Sequence, residues 1–208
     1  MTQFFKVLGG VILVLFVGGI IYYFAKNEAL PKGKAGKDAE IKELFTLKDA
    51  KLWSPKDPNL YQLVSKVFIG EKEIDSETTK FGIRVFTFDD ENQLYINGKK
   101  TFLRGVNRHQ DYPFIGYALS DNAQYRDAKK IKDGGFNYIR LSHYPHSPAF
   151  MDACDALGLV VIDAIMGWQY YNDTDAFREY CYRSATELIR RDRNRPSVLA
   201  WEVSLNET

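Results

Sequence analysis

Apolar and polar residues alternate with a period of two through the first part of the chain, from about residue 41 to residue 95. The alternation is clearest in "LYQLVSKVFI" (60–69) and "KFGIRVFTF" (80–88). A period of two predicts half-buried β-strands. The charged stretch "GEKEIDSETT" (70–79) between them is predicted to be a turn region. Residues 41–95 are too few for a complete seven-stranded β-sandwich of about 100 residues, so they are predicted to form the last few strands of one.

The pattern changes near Gly105, after a hairpin turn predicted at Asn97-Gly98 in "LYINGKKTFLRGVN". Helices are predicted from Ser120 or Asp121 to Asp133, from Ser147-Pro148 to Gly158, and from Thr174 or Asp175 to about Arg191. Short apolar strands alternate with them: "LRGVN", "FNYIRLSHY", "LGLVVIDAI" and "SVLAWEVSLN". This alternation predicts parallel strands with crossover helices, in either an open doubly wound sheet or a (β/α)₈ barrel. No glycine-rich phosphate loop follows a strand, which disfavours nucleotide binding.

The segment from Val7 to Ala25 carries no charged residue. As a helix it would be roughly 28 Å long, close to the thickness of the bilayer's hydrocarbon core. Residues 1–25 are therefore predicted to be a hydrophobic membrane anchor or signal segment, with a cleaved signal and a buried helix as the alternatives to an anchor. Residues 26–40, rich in Lys, Gly and Pro, are predicted to be a linker.

This segment predicts that the protein is anchored in a membrane, located in the cell envelope, or exported. Lysines after the segment favour a cytoplasmic bulk, whereas degradation of polysaccharides favours export, and this conflict leaves the orientation open.

Composition indicates which classes of partner the protein does not bind. The 208 residues have a net charge of +1, so no basic excess is present to neutralise phosphates, and no nucleic-acid partner is predicted. Cys154 and Cys181 are predicted to be free thiols on the apolar faces of helices. No cysteines or histidines have the spacing of metal ligands, so no metal ion is predicted.

Polar residues follow the predicted parallel strands at the point where each strand ends. They are Asn107-Arg108-His109, Ser142-His143-Tyr144 and Asn206-Glu207. The carboxyl ends of parallel strands are where barrels and doubly wound sheets place their sites. The two imidazoles and the guanidinium of Arg140 suit sugar hydroxyls, and the rings of Trp168, Tyr170 and Tyr171 suit the flat face of a pyranose.

Four segments, taken in order and spacing, resemble the catalytic domain of glycoside hydrolase family 2, which contains β-galactosidases, β-glucuronidases and β-mannosidases. They are "NGKKTFLRGVNRH", "FNYIRLSHYP", "GLVVID" and "RDRNRPSVLAWEVSLNE". The resemblance covers roughly Trp53 to Thr208. It implies that residues 41–95 are the last strands of a partial immunoglobulin-like β-sandwich that precedes the barrel. It implies that residues 96–208 are the N-terminal half of a (β/α)₈ TIM barrel, an α/β fold. It also implies a retaining glycosidase without a cofactor, most like a β-galactosidase, acting on a β-linked oligosaccharide or glycoside.

The resemblance also implies roles for individual residues. Glu207 matches the general acid/base, and Asn206 matches the residue that hydrogen-bonds the 2-hydroxyl of the sugar. His109, His143 and Arg140 match polar residues of the sugar subsite.

Two carboxylates are less certain in role. Asp163 matches a carboxylate that binds a substrate hydroxyl in some members, and a helix-cap or barrel-interior ion pair is weighed equally for it. Glu202 is expected in a buried salt bridge.

Two departures from the family pattern bear on function. Ala164 stands where metal-dependent β-galactosidases have Glu, which argues against a magnesium site. The nucleophile of the family lies on a later strand, so the chain is expected to be an inactive fragment that self-associates through an open barrel edge. The alternatives are a membrane-tethered, non-catalytic carbohydrate-binding module and an inactive relic.

Overall fold

The computed structural model describes residues 46–166 and 172–203, together with the backbone of three short strands within residues 12–25. The chain divides into two compact units. The first contains the strands within residues 12–25 and the segment Tyr61–Phe81. The second comprises Lys51–Leu60 and the chain from Gly82 onward.

The first unit is a sheet whose strand order is β1-β3-β4-β5, with β2 paired to β3. Strands β4 and β5 form a long antiparallel hairpin, and β3 pairs with β4 in parallel. The strands are β1 (Ile12–Leu13), β2 (Phe16–Val17), β3 (Ile20–Ala25), β4 (Tyr61–Ile69) and β5 (Lys72–Phe81).

The structure corrects the predicted hydrophobic helix over Val7–Ala25, because the parts of it that are described are strands. The β3 sequence "IIYYFA" consists mainly of β-branched and aromatic residues, which favour strands, and Gly-Gly pairs at 9–10 and 18–19 disfavour a continuous helix. Within the described part of the chain, no helix combines the length and the apolar character needed to cross a membrane. The predicted linker, residues 26–40, lies outside the described residues.

The charged region at residues 70–79 is also corrected. Only Gly70 and Glu71 form the turn, and β5 begins at Lys72. Most β5 side chains are exposed, so backbone pairing with β4 rather than burial of side chains stabilises this strand. Its amino-acid composition therefore gives no signal of a strand. The segment "KFGIRVFTF" is likewise not one strand, since β5 ends at Phe81 and the next strand begins at Phe86.

The second unit opens with a three-stranded antiparallel sheet. Its strands are β6 (Phe86–Phe88), β7 (Leu94–Ile96) and β8 (Lys99–Lys100). Asn97 and Gly98 join β7 to β8 with φ values of 52° and 75°. Two successive positive φ values are what a type I′ turn requires, so the predicted hairpin is confirmed.

A four-stranded parallel sheet follows, in the order β12-β11-β10-β9. Each strand is joined to the next by a helix, which confirms the predicted α/β alternation. The elements are β9 (Gly105–Arg108), α1 (Asp121–Asp133), β10 (Tyr138–Leu141), α2 (Pro148–Leu157), β11 (Val160–Ala164), α3 (Asp175–Asp192) and β12 (Val198–Glu202).

The helices begin where the sequence predicts. The side chains of Ser120, Ser147 and Thr174 each accept a backbone N–H of the first turn. Gly158 ends α2 with φ of 70°, a conformation that glycine adopts without strain. Both cysteines are free, but only Cys154 is buried.

The two faces of the parallel sheet pack against different partners. On the helix face, Ile139, Leu141, Val161 and Val198 pack with buried residues of α1 and α2. On the opposite face, Val160 belongs to a cluster with Trp53, Leu94 and Ile96. The indole of Trp53 donates to the backbone oxygen of Asp155 at 2.8 Å. This packing places Lys51–Leu60 with the parallel sheet rather than with the strands around it in sequence.

Candidate functional site

His109 and His143 follow the carboxyl ends of two neighbouring strands, β9 and β10. Their ring centroids lie 5.8 Å apart, with the ring planes at 77°. Arg108 pairs with Leu141 at the end of this parallel ladder, so the residues that follow emerge at the same edge of the sheet. His109 is exposed and His143 is half-buried. The two imidazoles are therefore adjacent, as the sequence predicts, and Nδ1 of His143 is buried without a hydrogen-bond partner among the described residues.

Two tyrosines extend this pair of rings. The ring centroid of Tyr144 lies 5.9 Å from that of His109 and 5.3 Å from that of Tyr117. The Tyr144 hydroxyl accepts the backbone N–H of Gln110 at 3.1 Å, and burial raises the pKa of this hydroxyl. Tyr117 was missed by the sequence analysis because it lies in a loop, where no periodicity marks its position. The result is a row of four rings along the edge of the sheet.

Arg140 and Glu202 form an ion pair on the opposite face, near the carboxyl edge. The Arg140 Nε lies 3.2 and 3.1 Å from the two carboxylate oxygens, and Nη2 also contacts Oε1. Each side chain is about one-fifth exposed. The salt bridge expected for Glu202 is confirmed, and its partner is the guanidinium predicted to bind sugar.

An irregularity in β12 brings Glu202 to this position. Val161 pairs with Val198, but the next residue, Ile162, pairs with Ala200. The extra residue in β12 shifts the alternation, so that Trp201 packs on the helix face and Glu202 points to the opposite face.

His146, the third histidine, is buried and has a different role. Its ring nitrogens lie 3.0 Å from the backbone oxygens of Tyr144 and Arg108. Burial lowers the pKa of His146 to about 4, and the cation of Arg108 acts in the same direction. A neutral imidazole has one N–H, so it donates to only one of these oxygens. His146 is therefore a buried group between the end of β9 and the segment after β10, and it is not part of the pair formed by His109 and His143.

Arg108 is buried as well and lies between the sheet and two helices. Its Nη2 contacts Asp127 at 2.8 Å and Gln124 at 2.9 Å, both on α1, and its guanidinium lies 3.8 Å from the ring centroid of Phe150 on α2. These contacts fix the end of β9 against α1 and α2, and so set the starting point of His109.

Asp163 is not brought together with the histidines. It is fully buried and shares the helix face with Val161, two residues before it. Burial, and then the neighbouring Asp192 of α3, raise the pKa of Asp163 to about 7. Among the described residues Asp163 makes neither the ion pair nor the helix cap of the structural alternative, and its role stays a prediction.

Trp168, Asn206 and Glu207 lie outside the described residues, so their predicted roles remain predictions. Within the residues that are described, no three His, Cys, Asp or Glu side chains converge on a point where a metal ion would bind.

Comparison with known families gives two matches that together cover most of the chain. Residues 87–208 match the family described as glycosyl hydrolases family 2, TIM barrel domain. Residues 22–84 match the family described as glycosyl hydrolases family 2, which is consistent with the predicted immunoglobulin-like strands. This second match begins inside the segment predicted to be an anchor, as the strand β3 does.

Individual relatives agree with these matches. The chain is 39% identical over 170 residues to a β-galactosidase of Thermoanaerobacter pseudethanolicus, an alignment that covers 81% of this chain and 23% of that protein. The chain thus spans about a quarter of the length of this curated relative.

Solved structures are similar in the same way. An FMN-binding β-glucuronidase from Facaelibacterium prausnitzii is 39% identical with a TM-score of 0.73, covering 75% of this chain and 24% of that one. The β-glucuronidase 3 of Bacteroides uniformis is 31% identical with a TM-score of 0.74, covering 82% and 22%. The parallel sheet, the histidines at its carboxyl edge and these matches establish that the chain belongs to glycoside hydrolase family 2.

Proposed function

We propose that this chain forms the sugar-binding edge of a retaining β-glycosidase, most like a β-galactosidase. The observation that carries the proposal is the adjacent pair His109 and His143 at the carboxyl edge of a sheet that belongs to family 2. Similarity to proteins named β-galactosidase and β-glucuronidase supports a β-linked glycoside as the substrate.

Each polar residue of this edge has a chemical task in the proposal. Glu207 protonates the glycosidic oxygen and then activates water, and Asn206 holds the 2-hydroxyl as positive charge develops on the sugar. His109 and His143 hydrogen-bond further hydroxyls. Arg140, held by Glu202, presents its guanidinium to the same pocket. The indole of Trp168 packs against the sugar ring.

Retaining hydrolysis also needs a second carboxylate about 5 Å from the acid/base. The family resemblance assigns this nucleophile to none of the 208 residues of this chain. We therefore propose that the polypeptide alone contains part of a sugar pocket and does not turn over substrate.

Release of nitrophenol from aryl β-galactoside and aryl β-glucuronide tests this proposal. The wild-type polypeptide and Glu207→Gln are expected to be equally inactive. Robust turnover that Glu207→Gln abolishes would contradict the proposed inactivity and support the acid/base role of Glu207.

Calorimetric titration with methyl β-galactoside and methyl β-glucuronide tests the sugar pocket separately. His143→Ala is expected to weaken binding by about 1 kcal/mol, the value of one hydrogen bond, whereas Phe102→Ala leaves binding unchanged. Phe102 is a suitable control because its side chain is 76% exposed. Binding of neither sugar, or equal affinity in His143→Ala, would count against the pocket.

Self-association belongs to the same proposal. Strands β9 and β12 are the outer strands of the described parallel sheet. An unpaired strand edge is a template for pairing with another chain. Light scattering is expected to give a mass above that of the monomer, and a monomer at all concentrations would contradict this.

A further inference from the structure

The segments after β9 and β10 are hydrogen-bonded to each other on both sides of the paired histidines. On the strand side, the backbone N–H of Ser142 donates to the backbone oxygen of Arg108 at 3.0 Å. On the loop side, the backbone N–H of Gln110 donates to the hydroxyl of Tyr144 at 3.1 Å. The residues that flank one histidine therefore contact the residues that flank the other.

These two contacts differ in what they depend on. The contact on the strand side joins two backbone groups and extends the parallel pairing of β9 with β10, so it needs no particular side chain. The contact on the loop side needs the side chain of Tyr144, whose ring centroid lies 5.9 Å from that of His109 and 5.2 Å from that of His146. The loop-side contact is therefore the one that a single substitution can remove.

The side chain of Gln110 connects the same segment to α2. Its Oε1 accepts the backbone N–H of Ser147, the N-cap residue of α2, at 3.0 Å. In a capping box, a Glu or Gln at the third helical position satisfies this N–H. That position in α2 is Phe150, which has no polar side-chain atom, so Gln110 performs the task from the segment after β9. The amide of Gln124, 3.5 Å from the same oxygen, is at the limit of a hydrogen bond.

The placement of the paired rings depends on these segments. The ring centroids of His109 and His143 lie 5.8 Å apart. Nδ1 of His143 is buried and has no hydrogen-bond partner among the described residues, so no hydrogen bond at this nitrogen fixes the ring. The separation of the two rings therefore follows from how the two backbone segments are joined.

We propose that Gln110 is a positioning residue, which together with Tyr144 keeps the ring of His109 beside that of His143. Oε1 of Gln110 fixes the segment after β9 against the start of α2. The backbone N–H of Gln110 fixes the same segment against the one after β10. The placement of the rings does not depend on the proposed function, whereas its consequence for sugar binding rests on that function.

Proton NMR of the 208-residue chain with labelled histidines measures the placement of the rings. The chain has three histidines, so the imidazole signals are few. Gln110→Met keeps the length of the side chain but removes the acceptor, and is expected to abolish the nuclear Overhauser effect between the rings of His109 and His143. Gln110→Glu keeps an acceptor, which the positive end of α2 favours, and is expected to retain the effect.

A role in stability alone predicts a different result. The nuclear Overhauser effect is measured in the folded protein, so a lower stability of Gln110→Met does not by itself remove it. An unchanged effect in Gln110→Met, or its loss in Gln110→Glu, would overturn the proposal.

Tyr144→Phe tests the loop-side contact and keeps the ring in place. It removes only the hydroxyl that accepts the N–H of Gln110, and is expected to weaken the effect between the two histidine rings. Tyr125→Phe is the matched control, because it removes a hydroxyl from a tyrosine of α1 that is 47% exposed, and is expected to leave the effect unchanged. Equal results in the two variants would count against the role of Tyr144.

Calorimetric titration with methyl β-galactoside separates this proposal from the proposed function. The affinity is expected to fall about fivefold in Gln110→Met, the equivalent of one hydrogen bond, and to be retained in Gln110→Glu. If the wild type binds no sugar while Gln110→Met loses the ring contact, the proposed function fails and the positioning role stands. If Gln110→Met keeps both the ring contact and the wild-type affinity, the positioning role fails and the proposed function stands.

Discussion

Polar side chains on the two faces of the parallel sheet differ in their exposure to solvent. On the helix face, Asp163 is sealed from solvent and meets only other groups of the protein. On the opposite face, polarity changes along the strands. Val160 at the amino end packs against Trp53, whereas Arg140 and Glu202 near the carboxyl end keep about one-fifth of their surface exposed.

This difference separates groups that are sealed inside the protein from groups that keep part of their surface exposed. A buried polar group must find its partners inside the protein, because water is not available to it. A partly exposed group at a strand end can exchange water for a sugar hydroxyl. A charged side chain therefore has a different role on each of the two faces.

The largest effect is expected at the amino end of the opposite face. Trp53→Ala removes a fully buried indole and its hydrogen bond to Asp155, and is expected to lower the free energy of unfolding by about 3–5 kcal/mol. Urea unfolding measures this. The control Phe102→Ala, at an exposed ring, should change it by less than about 0.5 kcal/mol. Equal losses in both variants would remove the distinction between buried and exposed apolar residues.

His146 is expected to produce the next largest effect, and only in acid. Its pKa of about 4 lies below 6.5, so its contribution is complete above pH 6.5 and is lost as the pH falls towards 4. The difference in unfolding free energy between wild type and His146→Asn should shrink by about 1.4 kcal/mol per pH unit over this range. A constant difference would mean that folding does not lower the pKa of His146.

A double-mutant cycle on Arg140 and Glu202 sharpens the comparison at the carboxyl end. Arg140→Met, Glu202→Gln and the double variant are expected to give a coupling free energy of about 1–2 kcal/mol in urea unfolding, because the pair is largely buried. Coupling near zero would show that solvent screens the pair and that Glu202 does not hold Arg140 in place.

The smallest effect is expected for the pair Lys66 and Glu73 in the hairpin of the first unit. Their atoms lie 2.7 Å apart, but the side chains are 31% and 40% exposed. The same cycle with Lys66→Met and Glu73→Gln should give a coupling of about 0.5 kcal/mol or less. A coupling as large as that of Arg140 and Glu202 would mean that burial does not set the strength of these pairs.

Local signals predicted the second unit well. The caps Ser120, Ser147 and Thr174 mark the helix starts because a hydroxyl satisfies free N–H groups of the first turn, whatever surrounds the helix. Strand β5 was not predicted, because it is stabilised by backbone pairing with β4 and its charged, exposed side chains show no hydrophobic periodicity. The helix predicted over Val7–Ala25 was wrong because hydrophobicity alone does not distinguish a helix from strands.

Within the candidate site, the sequence predicted that His109 and His143 would meet, because both follow neighbouring parallel strands. It did not predict that Tyr117, a loop residue, would lie beside these rings, or that Arg140 would be the partner of Glu202. For Asp163 the sequence left a substrate contact and a structural ion pair or helix cap as equal alternatives, and it did not predict the neighbouring Asp192, 29 positions later in the chain.

The sequence by itself determined which segments of the second unit become helices and strands, and that polar residues gather at the carboxyl edge of the sheet. These follow from periodicity, capping and strand order, which are properties of short segments. Only the tertiary structure decided which face each polar residue occupies. One extra residue in β12 turns Glu202 towards Arg140, and the position of α3 gives Asp163 an acidic neighbour. Such choices depend on the register between strands and on packing across the sheet, and neither is encoded in any single segment.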